Sequence, residues 1–138
     1  MIYCFKCIER SIPVIIHESA ENYLETILIL SDKFQHVRSV DIANELNFSK
    51  PSVSVAMKKL RESNLISVDA DGFITLTEEG HRIAVTMYER HQLLSDWLVF
   101  LGVSRETALE DACRIEHVIS QESFERIRHH VTEMREHL

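Results

Sequence analysis

Cys113, Glu116 and His117 are the residues of this chain most able to do chemistry together. They stand at i, i+3 and i+4 in a stretch whose periodicity predicts an amphipathic helix from about Arg105 to Ile119. That spacing puts a thiolate, a carboxylate and an imidazole on one helical face. Such a donor mix suits a borderline transition-metal ion better than calcium or magnesium. The triplet alone has an ordinary reading. A free cysteine is often a small buried hydrophobe, and a glutamate is often a solvated charge. It gains weight because other segments offer matching groups and because the N-terminal half reads as a DNA-binding module.

The elements that must position these groups are mostly helical. Ser19 is the expected N-cap of a first helix, Ala20 to Phe34, with an apolar stripe of Tyr23, Leu24, Ile27, Leu28 and Leu30. A short second helix, Ser39 to Leu46, turns Val40, Ile42, Ala43 and Leu46 inward. Ser49 caps a third helix with Pro51 in its first turn, where the missing N–H costs little; it ends near Glu62 to Asn64. Two strands follow, Leu65–Val68 and Phe73–Leu76, with Asp71-Gly72 in their connection. Thr77 caps a long helix reaching about Leu101, with Gly102 as its C′ residue. Ser104 caps the Cys113 helix, and Ser120 caps a last helix carrying Phe124, Ile127, Val131 and Met134.

The bulk properties agree. The chain has 138 residues, 45% of them hydrophobic, with only three glycines and two prolines, so an ordered, largely helical protein is expected. No apolar run approaches the roughly 20 residues of a membrane span, and Pro13 interrupts the short run Ile12 to Ile16. The start lacks the form of a signal peptide, and three cysteines without one suggest reduced thiols and a cytoplasmic location. Net charge is −7, which argues against nucleic acid at first sight. Its distribution softens that argument. Residues 1–76 hold 8 basic and 10 acidic groups, whereas residues 77–138 hold 7 and 12. Between Lys50 and Arg61 there are four basic groups and no acid, a local surface on which an acidic protein can still bind DNA.

Three helices, a hairpin and further helices predict a mainly α fold: an N-terminal winged helix-turn-helix followed by an α-helical second domain. The division expected is an extension over 1–18, the DNA-binding domain over 19–76 and the helical domain over 77–138. The helix after Ser49 could be merely a packed helix, since Val53, Ala56, Met57 and Leu60 give it an apolar face. Its other face carries Ser49, Lys50, Pro51, Ser52, Ser54 and Lys58. Small hydroxyls permit close approach to a groove, and lysines suit phosphates, so these six are the expected contacts to double-stranded DNA.

Four segments together resemble the diphtheria-toxin-repressor family of metal-dependent transcriptional regulators, in its two-domain, manganese-transport-regulator-like form. They are Glu21-Asn-Tyr-Leu-Glu25, Ser49-Lys-Pro-Ser-Val-Ser54, Tyr88-Glu-Arg-His-Gln-Leu-Leu94 and Asp111-Ala-Cys-Arg-Ile-Glu-His-Val118. The resemblance covers about Ser19 to Val131. It implies a repressor that takes Fe(II) or Mn(II) as corepressor and binds a palindromic operator as a homodimer. It also implies a metal set of Asn22, Glu25, His91, Cys113, Glu116 and His117. Asn22 is a weaker ligand where the family uses Asp or Met. Cys113 follows the iron-type members and Glu25 the manganese-type ones; a soft thiolate tilts the balance slightly to iron. Ser95 and Leu109 stand where iron-type members have two ancillary ligands.

Two rival functions remain at this point. A winged-helix regulator sensing an organic ligand, or acting without metal, would have the same N-terminal half. A small metallohydrolase would need an open metal position and a positioned acid or base, but no reaction motif is visible, so no enzyme activity is expected. Cys4-Phe-Lys-Cys7 lacks the second pair of a zinc site and reads as incidental thiols in the extension. His129, His130 and His137 read as a solvated helix end. Trp97 and Phe100 read as core or dimer interface.

Overall fold

A computed structural model describes residues 20–138. Ser19 as a cap, the Cys4/Cys7 pair, the run Ile12 to Ile16 and the 1–18 extension lie outside the described residues. Within them the order is α1 (Ala20–Lys33), α2 (Ser39–Leu46), α3 (Lys50–Glu62), β1 (Ile66–Val68), β2 (Ile74–Leu76), α4 (Glu78–Phe100), α5 (Arg105–Val118) and α6 (Gln121–Glu136).

The helices start where hydroxyls can meet their free N–H groups. Ser49, Thr77, Ser104 and Ser120 each accept from the backbone N–H three residues on. Gly102 follows α4 at φ 102°, a left-handed conformation that stops the helix. β1 and β2 pair antiparallel, with Ile66 opposite Leu76 and Val68 opposite Ile74. Each strand is one residue shorter than expected. The Leu65 carbonyl instead accepts from Thr77 N–H at 3.0 Å, and the Phe73 carbonyl accepts from Asp69 N–H at 3.1 Å.

One large apolar cluster joins α1, α2, α3, the hairpin and the start of α4. It includes Leu24, Ile27, Ile42, Val53, Leu60, Ile66 and Ala84. Val40 is not part of it: at 39% exposure it corrects the expectation that it faces inward. It lies two positions before Ile42, about 200° around the helix, so burying Ile42, Ala43 and Leu46 turns it out. Leu28 and Ala56 are half-buried against the cluster. A second, smaller cluster of Leu94, Ala112 and Phe124 joins α4, α5 and α6, with Trp97 against it. Phe100 points outward.

Helix α4 runs the length of both clusters and packs on α1 and α5. Its first turn is pressed against the end of α3. The Thr77 hydroxyl donates to the Asn64 carbonyl at 2.9 Å and accepts from Gly80 N–H at 3.1 Å. A Cβ on Gly80 would meet the Leu65 carbonyl oxygen at 2.0 Å, so only glycine permits that approach.

Candidate metal centre and nucleic-acid interface

Between the two apolar clusters lies a polar one. Helix α1 brings Glu21, Asn22 and Glu25, α4 brings His91, and α5 brings Cys113, Glu116 and His117. Glu25 and Glu116 are 5% and 1% exposed, unusual burial for carboxylates. One donor atom each from Glu25, Glu116 and His117 lie within 4.8 Å of one another. His91 Nδ1 is 2.9 Å from Glu116 Oε2, and His117 Nε2 is 3.2 Å from Glu116 Oε1. Glu116 thus sits between two imidazoles.

The electrostatics show what the cluster lacks. Burial, and then the neighbouring Glu116, push the Glu25 carboxyl up to about 10. Burial also opposes ionisation of Glu116, but hydrogen bonds from His117 and His91 outweigh it and hold that carboxyl below its ordinary value. For His117, burial disfavours the charged ring; Glu116 and then Glu21 overcome this and raise it. Burial, with Glu116 and Glu25 close by, pushes the Cys113 thiol up. Two buried carboxylates and a thiol therefore face one another with too little positive charge to ionise together. A divalent cation is the species such a donor set fits.

The six expected metal residues are placed as follows. Glu25, Glu116 and His117 come together. His91 touches the group through Glu116. Cys113 is half-buried and close enough to feel both carboxylates, but falls outside the three-residue group. Asn22 is half-buried one turn before Glu25, and its carbonyl accepts from the Thr26 hydroxyl at 2.8 Å. Ser95 spends its hydroxyl on the His91 carbonyl at 2.7 Å.

Sequence reasoning missed two residues. Glu21 Oε2 lies 3.3 Å from His117 Nδ1, an arrangement that fixes the ring's orientation. Its i, i+4 relation to Glu25 was the available signal. Arg90, 9% exposed, donates through Nη1 to the Glu116 carbonyl at 3.1 Å and the Ile119 carbonyl at 3.5 Å, and through Nη2 to Gln121 Oε1. Its guanidinium also lies over the Phe124 ring. It satisfies carbonyls at the end of α5, where a cation suits the helix dipole, and so holds the backbone that carries Glu116 and His117. Nothing in its spacing announced that role.

At the other end, Ser49, Lys50, Pro51, Ser52, Ser54 and Lys58 are all exposed on α3. Val53, Met57 and Leu60 anchor the opposite face. The Ser49 hydroxyl is committed to the cap: it accepts from Ser52 N–H at 3.3 Å and donates to Ser52 Oγ at 2.8 Å.

Comparison with known proteins bears on both regions. Residues 16–72 match the family model described as iron dependent repressor, N-terminal DNA binding domain. Residues 77–137 match the one described as iron dependent repressor, metal binding and dimerisation domain. The chain belongs to the iron-dependent repressor family. It is 36% identical over 111 residues to the transcriptional regulator MntR of Escherichia coli O6:H1, covering 80% of this chain and 72% of that relative. It also resembles the solved manganese regulator SloR, at TM-score 0.74 and 29% identity over 83% of this chain and 54% of that one. A manganese-dependent transcriptional repressor solved with manganese gives TM-score 0.72 and 31% identity, over 79% and 50%. The chain thus spans about half the length of those two solved proteins. Among the described residues no helix is long and apolar enough to cross a membrane.

Proposed function

We propose that this chain is a metal-dependent, DNA-binding transcriptional repressor of metal-ion homeostasis. It works as a homodimer on a palindromic operator, takes Fe(II) or Mn(II) as corepressor, acts in the cytoplasm and catalyses no reaction. Residues 19–76 read DNA and residues 77–138 bind metal and dimerise, with 1–18 as an extension. The observation that carries this reading is the buried group of Glu25, Glu116 and His117, drawn from helices in both halves of the chain. Glu25, Glu116 and His117 would hold the ion, with His91, Cys113 and Asn22 as further donors around it. A bound divalent cation supplies the charge that lets both carboxylates ionise and ties α1 to α5. Closing that tie favours one arrangement of the DNA-reading half, a population shift set by tighter binding to that arrangement. The two metals named for the family and its relatives are both compatible with a set that mixes carboxylate, imidazole and thiol. An organic effector would need an apolar pocket here, where carboxylates and imidazoles stand instead.

The decisive variant is His117→Ala, which deletes an imidazole without adding a replacement. Calorimetric titration of Mn(II), and of Fe(II) without oxygen, should show at least a tenfold loss of affinity. Metal-stimulated retention of DNA in a gel shift should disappear, while helical content stays. Unchanged metal affinity and unchanged DNA retention would overturn the reading.

A further inference from the structure

The segment His36 to Arg38 runs beside the hairpin. The Val37 carbonyl accepts from Ile74 N–H at 2.7 Å, an antiparallel bridge to β2, and the Val37 side chain is buried. In extended chain the two neighbours of an inward residue point outward, so His36 and Arg38 share the outer face. Phe73 serves both there. The His36 ring stacks on it with centroids 4.1 Å apart and planes 7° apart, and the Arg38 guanidinium lies 4.7 Å from its centroid. The Arg38 backbone is fixed as well, donating to Asp41 Oδ2 at 2.8 Å. Its side chain is exposed. A cation that already rests against a ring loses less freedom on meeting an anion.

The hairpin tip has the opposite character. Asp69 and Asp71 are exposed, and the turn from 69 to 72 carries no basic residue. Asp69 Oδ1 is occupied by the N–H groups of Asp71 and Phe73, both at 2.9 Å, which locks the acidic turn in place. Such a tip repels a phosphate backbone. Arg38 is the N-cap of α2, and three residues separate the end of α2 from the start of α3. Eight residues of α2 span about 12 Å. That is close to the roughly 12 Å width of the DNA major groove. In a helix-turn-helix seated in the groove through Ser52 and Ser54, the first helix, α2, crosses the DNA backbone, which would bring its Arg38 cap toward a bordering strand.

We propose that the His36–Phe73–Arg38 platform contacts the phosphates of duplex DNA beside the groove that receives α3, in place of the acidic hairpin tip. This rests on the DNA-binding reading above. The test uses Mn(II)-loaded full-length protein, a random-sequence DNA duplex and a salt titration of binding. Arg38→Gln removes the charge but keeps the backbone bond to Asp41. It should weaken binding and shallow the slope of log affinity against log salt by about one ion. Phe73→Ala should weaken binding with the slope retained, because the charge remains but loses its support. Lys58→Ala on α3 is the reference. If the wild type binds and Lys58→Ala weakens it, while Arg38→Gln leaves slope or affinity unchanged, the platform is overturned and the DNA-binding reading stands. A wild type that does not bind the duplex overturns both.

Discussion

The two apolar clusters of this protein are held together by different physics. Among the described residues, the one around α1, α2, α3 and the hairpin has fourteen buried residues, nearly all aliphatic or aromatic. The one between α4, α5 and α6 has three. What the second lacks in apolar volume is made up by buried polar groups on its helices α4 and α5: Arg90, His91, Ser95, Glu110 and Glu116. Removing apolar surface from water stabilises whether or not a cation is bound. Buried charge stabilises only when its partners are present. The packing of the large apolar cluster should therefore be indifferent to metal, whereas the buried polar groups should respond to it.

The sharpest way to test that contrast begins in the large cluster. Leu24 is fully buried, and Leu24→Ala should cost about 3 kcal/mol in a urea melt. The loss should be the same with chelator and with Mn(II). A loss that metal reverses would mean the two clusters are not separate in their energetics. In the small cluster, Arg90→Met keeps the aliphatic volume but strands the Glu116 and Ile119 carbonyls. We expect a cost of about 2 kcal/mol in the same melt. Because the α5 backbone then loosens under Glu116 and His117, metal affinity should fall too. An Arg90→Met protein with wild-type metal affinity would reduce Arg90 to a structural brace.

The third test reads pH dependence and concerns Glu25. Its folded carboxyl, at about 10, keeps a proton that the unfolded chain releases above its ordinary 4.5. A raised acid contributes stability that is full below about 4.5 and is lost as pH rises toward 10. With chelator present, wild type should lose stability from pH 5 to pH 8 relative to Glu25→Gln, whose amide cannot ionise. Parallel melts of the two proteins across that range would show Glu25 to be ionised and satisfied without a cation.

The elements were legible in the sequence because each carries its own local signal. Ser49, Thr77, Ser104 and Ser120 marked helix starts by hydroxyls, and Gly102 marked a stop by its freedom at positive φ. Helix type and order followed, and with them the winged helix-turn-helix. Val40 was misplaced because an eight-residue helix has too few turns for a stripe to declare its direction. At the metal centre, α5 announced itself through spacing on one helix. Glu21 and Arg90 did not, since each works across helices: one through the far nitrogen of His117, the other through backbone carbonyls on α5. Contacts to a backbone leave no trace in which residue types stand where.

Gly80 has a mechanical consequence. It clamps the first turn of α4 to the hairpin root, and His91 lies eleven residues further along the same unbroken helix. At 1.5 Å per residue the separation is about 16 Å. A 23-residue rod with no joint works as a boom, with its pivot at one end and its load part-way along. With that end held against the Leu65 carbonyl, a displacement of His91 would be carried along the helix to the contact rather than absorbed in a loop. A single methyl group at that contact would force the start of α4 off the hairpin root without altering the exposed face of α3 or the buried group of Glu25, Glu116 and His117.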